Sequence, residues 1–205
     1  MFDRKLQYIT QKPLIFISKL FLKNINPIQM TLLGFVIGIL MCVLTFFQFY
    51  VFALIMLILN RLCDGLDGTM ARLTTPTPLG GYLDIVSDFT IYSGFVLAFG
   101  FSNSSYTTLS MILLFLYIGT GTTFLAKAAI QTQLDKISET NDAIEGLPKS
   151  FHYTSGLVEG TETIIFMVLC LLFSNFFILI SIIFGILCFI TFISRVIVCY
   201  VEFNL

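Results

Sequence analysis

Four aspartates, Asp64, Asp67, Asp84 and Asp88, stand close together in an otherwise apolar chain. The first pair is spaced i, i+3 and the second i, i+4, so each pair shares one face of a helix. Between them runs TTPTP, residues 74–78, which cannot continue a helix and forms a short turn. Two helices joined by a tight turn run antiparallel, which can bring the two acidic faces together. Carboxylates at close quarters repel one another unless a cation intervenes. Their hard oxygens suit Mg²⁺ or Mn²⁺.

The elements that must carry these carboxylates are membrane helices. The chain has 205 residues, 57% hydrophobic and 11% charged, with a mean hydropathy of +0.96. A soluble domain of this size does not need so much apolar surface. Several stretches approach the ~20 apolar residues that span a bilayer. They fall at about 28–47, from Tyr50 into Asn60, Arg61 and the first two aspartates, from Gly80 to Phe101, and at about 107–130, 158–174 and 177–200. The expected fold class is therefore an all-α integral membrane protein with six transmembrane helices, forming one domain over 1–205. Residues 1–25 are expected to form an N-terminal interfacial amphipathic helix, because Lys19 and Lys23 alternate there with Ile15, Phe16 and Leu20. The same charges argue against a cleavable signal peptide. Gly34 and Gly38 in the first span suit close helix packing. The polar stretch 131–153 reads as a loop or a surface helix.

Charge sets the orientation. With six spans, the loops near 46–50, 100–107 and 174–176 share one side and contain no Lys or Arg, whereas all 11 basic residues fall toward the other. Both termini and the aspartates are then expected on the cytoplasmic side, at a depth where a lipid headgroup and a soluble reactant can meet. The expected location is a bacterial inner membrane. The five cysteines, Cys42, Cys63, Cys170, Cys188 and Cys199, form no CxxC pair and read as small apolar residues. One histidine, His152, excludes a histidine-rich metal site. Asn103-Ser104-Ser105 fits a short sequon, and His152 reads as an interfacial loop residue. No nucleic-acid partner is expected.

The residues at fixed spacing are Asp64, Asp67, Gly68, Ala71, Arg72, Gly80, Asp84 and Asp88. This pattern, DxxDGxxAR followed by GxxxDxxxD, resembles the signature of the CDP-alcohol phosphotransferase family, most strongly over about 60–90. The resemblance implies transfer of a phosphatidyl group, or a related phosphoalcohol, from a CDP-linked donor such as CDP-diacylglycerol to the hydroxyl of a small alcohol acceptor, releasing CMP. It implies two divalent cations, Mg²⁺ or Mn²⁺, held by Asp64, Asp67 and Asp84. Asp88 would be the general base and could also touch a metal. It further implies a homodimer. The chemistry agrees with the residues, since a pyrophosphate needs cations to bind and to stabilise the leaving nucleotide. Gly68 and Ala71 are small enough for a nucleotide to lie against the helix, and Arg72 offers a planar fork to phosphate or to a motif carboxylate. Close helix packing is the alternative for the two small residues. Arg61, three residues before Asp64, can bind phosphate or pair with an aspartate.

Two departures from the family pattern bear on the substrates. The first span opens Asn26-Pro27-Ile28-Gln29-Met30-Thr31, with Ile28 where family members often carry Asn. Gln29 and Thr31 remain as nucleotide contacts. The fifth span opens with Glu159 and Glu162 instead of lysines, which points to a neutral or amine-bearing acceptor. Those glutamates can equally serve the positive end of the helix. Lys127 and Lys149 keep a phosphorylated acceptor open. Two other classes of function compete with the enzyme. One is a cation transporter or channel using intramembrane carboxylates. The other is a non-catalytic membrane scaffold.

Overall fold

Two prolines set the helices that frame the aspartates. Pro27 and Pro78 each open a helix, where a missing N–H costs nothing. In a computed structural model of the protein, residues 13–22, 24–140 and 157–203 are described, and the regular structure among them is helical throughout. The helices are α1 (13–21), α2 (Pro27–Phe46), α3 (Tyr50–Leu73), α4 (Pro78–Ser102), α5 (Thr107–Thr140), α6 (Gly160–Leu172) and α7 (Phe177–Phe203). Short 3₁₀ turns, Ser104–Tyr106 and Ser174–Phe176, join α4 to α5 and α6 to α7.

Four of these segments are long and apolar enough to cross a membrane: α2, α4, and the stretches Ser104–Leu134 and Ser174–Phe203. The other two expected spans fall short for different reasons. At 24 residues α3 has the length, but it carries Arg61, Asp64, Asp67 and Arg72. With 13 residues, α6 rises only about 20 Å, against about 30 Å of hydrocarbon. The expected end of the fourth span at 130 is also passed. No Pro or Gly occurs between 131 and 145, and α5 continues to Thr140.

Helix α2 packs on α3 and α4, α5 packs on α4 and α7, and α6 bridges α3 and α7. The small residues of α2 make the first contact possible. A Cβ at Gly34 would lie 3.0 Å from the Cys63 Cβ, and one at Gly38 would collide with Ile91. The core sits toward the end remote from the aspartates. There Phe99 stacks on Phe177 at 4.4 Å and on Tyr50 at 5.4 Å, and Phe166 stacks on Phe184 at 4.1 Å. At this end Gln48, with φ 64°, turns the chain from α2 to α3 and donates a hydrogen bond to Ser102 O at 2.8 Å. A second, smaller cluster of Met30, Cys63, Leu66 and Met70 lies behind the motif part of α3. Leu14 of α1 and Leu22 just beyond it close that cluster, while Phe16 and Leu20 remain exposed.

Candidate active site

The turn between α3 and α4 works as the sequence requires. Thr74 ends α3, and the Thr77 hydroxyl accepts a hydrogen bond from Gly80 N at 3.1 Å, capping α4. The antiparallel pair brings carboxylate oxygens of Asp64, Asp84 and Asp88 within 4.8 Å of one another. Asp67 lines the same pocket, with Thr31, Asn60 and Arg61. Its Oδ2 is buried and has no hydrogen-bond partner among the described residues.

These residues fit a divalent cation. Oxygens on opposite sides of one Mg²⁺ lie about 4.2 Å apart, so the observed spacing needs only small side-chain adjustment. A buried carboxylate oxygen without a partner is costly unless something satisfies it. Arg61 is the one cation among the described residues lining the pocket, facing four carboxylates. The described residues leave the charge there far from balanced.

Arg61 pairs with aspartates. Its Nη2 lies 2.8 Å from Asp88 Oδ1 and its Nη1 lies 3.5 Å from Asp64 Oδ2. Two residues that the sequence did not single out complete this arrangement. Asn60 accepts from Arg61 Nε at 2.8 Å, and Tyr92 OH donates to Asp88 Oδ2 at 3.1 Å. Both carried a signal. Tyr92 extends the Asp84, Asp88 row by another four residues, and Asn60 is an amide inside an apolar run.

The remaining sequence candidates are spread more widely. Among the described residues, a Cβ at Gly68 would meet only the Arg72 guanidinium, at 3.5 Å. Arg72 donates to Thr69 Oγ1 at 3.1 Å, and Ala71 is half-buried beside it. Thr31 reaches the acidic pocket, whereas Gln29 accepts from Asn26 N at 2.9 Å and so serves the start of α2. Glu162 likewise accepts from Glu159 N at 2.9 Å, a helix-start role for that pair. Lys127 sits between α5 and α7, 2.7 Å from Glu202. It lines a second pocket with Arg195 that shares no lining residue with the first. Lys149 and His152 lie outside the described residues.

Comparison with known proteins bears on the fold and the family. The chain is 42% identical over 179 residues to inner membrane protein YnjF of Escherichia coli K12, covering 84% of this chain and 82% of that one. Its fold is similar to the crystal structure of Mycobacterium tuberculosis phosphatidylinositol phosphate synthase PgsA1 with CDP-DAG bound. The TM-score is 0.70 at 18% identity, over 89% of this chain and 91% of the other. The model of the CDP-alcohol phosphatidyltransferase family matches residues 24–193. A match over most of the length, carrying the acidic motif with it, identifies the chain as a member of the CDP-alcohol phosphatidyltransferase family.

Proposed function

We propose that the protein transfers a phosphatidyl group, or a related phosphoalcohol, from a CDP-linked lipid donor to the hydroxyl of a small acceptor, releasing CMP. CDP-diacylglycerol is the donor we favour. The observation that carries this reading is the convergence of Asp64, Asp84 and Asp88 oxygens within 4.8 Å, beside the unpartnered buried oxygen of Asp67. Asp64, Asp67 and Asp84 hold divalent metal, two ions of Mg²⁺ or Mn²⁺, with Asp88 at their edge. Bound metal supplies positive charge for the donor pyrophosphate and for the departing CMP.

The chain's own residues do the rest. Asp88 accepts the acceptor's hydroxyl proton as the new ester bond forms and the pyrophosphate bond breaks. The uncovered backbone at Gly68 gives the nucleotide a surface to lie against, and Arg72 beside it offers its fork to phosphate. Thr31 completes the nucleotide side. No Cys lines the pocket among the described residues, and its one serine, Ser87 on α4, has no His or Lys beside it in that lining, which favours direct attack by the acceptor.

The acceptor is neutral or amine-bearing. Glu159 and Glu162 stand at the start of α6, and Lys127 is already matched by Glu202. The protein lies in a bacterial inner membrane as a homodimer. Six helices are embedded, with the acidic pocket on the cytoplasmic side, in keeping with the basic residues on that side and the inner-membrane relative. Purified protein should release CMP from CDP-diacylglycerol with some member of a panel of alcohols, and the lipid product identifies the acceptor. Turnover with glycerol 3-phosphate but with no uncharged or amine-bearing alcohol would defeat the acceptor assignment. No CMP release with any CDP-linked donor would defeat the activity.

A further inference from the structure

Asp88 is held from two sides. Arg61 Nη2 donates to its Oδ1 at 2.8 Å, and Tyr92 OH donates to its Oδ2 at 3.1 Å. Arg61 is itself braced. Its Nε donates to Asn60 Oδ1 at 2.8 Å and its Nη1 to Tyr92 OH at 3.2 Å. The Asn60 amide is 2% exposed and donates through Nδ2 to Gly34 O at 2.8 Å. That bond leaves its oxygen for the guanidinium. A continuous line of hydrogen bonds therefore runs from the backbone of α2, through α3, to Asp88 on α4.

We infer that Arg61 is a positioning residue: its guanidinium, braced by Asn60 and Tyr92, fixes Asp88 relative to Asp64 and so sets the spacing of the acidic pocket. The inference rests on the transferase reading above. Arginine suits the task because its donors have fixed directions in one plane and it does not lose its proton. An ammonium at this position carries the same charge but cannot reach Asn60, Tyr92 and Asp88 in one geometry. Fork and charge can thus be separated by substitution.

The test uses the full-length protein in nanodiscs. Steady-state CMP release gives kcat and donor KM, and electron paramagnetic resonance of Mn²⁺ gives metal affinity without substrate. Arg61→Lys and Arg61→Met should both lower kcat by about 10²-fold, as expected for a displaced reacting group, with donor KM nearly unchanged. Mn²⁺ should bind about tenfold more weakly to Arg61→Lys, which keeps the charge but no longer fixes the spacing of Asp64 and Asp88. Tyr92→Phe removes a single hydroxyl from the brace and should lower kcat by a smaller factor, which keeps the test alive if Arg61→Met does not fold. A wild-type kcat in Arg61→Lys would overturn the inference, since charge alone would then suffice. An effect confined to donor KM would also overturn it, by making Arg61 a phosphate contact. A wild-type protein that releases no CMP sinks the transferase reading instead. In that case the Mn²⁺ measurement still decides whether Arg61 shapes the pocket, and unchanged affinity in Arg61→Lys would refute it.

Discussion

Helix α4 has two different halves. Every fully buried residue it contributes, from Ile91 to Gly100, lies in its second half, where Phe95 and Phe99 join the aromatic core. Its first half carries Asp84 and Asp88 and faces α3 across a polar pocket. The aromatic end is held by apolar packing: rings stack on rings, and Gln48 ties the α2–α3 turn to the end of α4. The acidic end instead gathers four carboxylates against one guanidinium among the described residues, and Asp67 Oδ2 has no partner among them. One end therefore holds the bundle together, and the other concentrates charge that the described residues do not balance.

The largest expected effect separates these ends by activity. Replacing Asp64, Asp67, Asp84 or Asp88 by Asn should lower CMP release by about 10³-fold or more, with little change in thermal unfolding. An isosteric amide that kept full activity would remove that carboxylate from the site. The converse holds at the aromatic end. Phe99→Leu should cost about 1–3 kcal/mol of stability by opening space beside Phe177 and Tyr50, and turnover per folded molecule should persist. Thermal unfolding paired with initial rates checks both halves of that statement.

Glycines draw the same distinction more finely. Gly38→Ala places a methyl group against Ile91 and should destabilise by about 1–3 kcal/mol. Gly68→Ala meets only the movable Arg72 side chain, so the fold should gain up to about 1 kcal/mol from helix propensity while donor KM rises. Donor KM unchanged in Gly68→Ala would return that glycine to a packing role. The smallest effect is expected between α5 and α7. A double-mutant cycle with Lys127→Met and Glu202→Gln should show a coupling of about 1 kcal/mol in thermal stability, and its absence would show the pair to be incidental.

Much of the acidic end was legible because its signals are local. The i, i+3 and i, i+4 spacings and the TTPTP break fix two helix faces and the turn between them, whatever the rest of the chain does. Gly34 and Gly38 also announced the close approach that α2 makes. Residues whose partners lie far along the chain were not legible. Arg61 could serve phosphate or aspartate until Asp88, 27 positions later, settled its geometry. Lys127 read as an anion contact because Glu202, 75 positions away, leaves no trace near it. The continuity of α5 past 130 was ambiguous for a different reason: polarity suggested a loop or a surface helix, and the lack of any helix breaker before Gly146 allowed the same helix to continue to Thr140.

The central claim is that this acidic pocket works only when divalent metal completes it. The most direct test follows CMP release from CDP-diacylglycerol by a single purified preparation, before chelation, after thorough chelation, and after Mn²⁺ or Mg²⁺ is restored. Loss of release on chelation and its recovery with either ion is the expected result. Undiminished release from the metal-stripped protein would contradict the account.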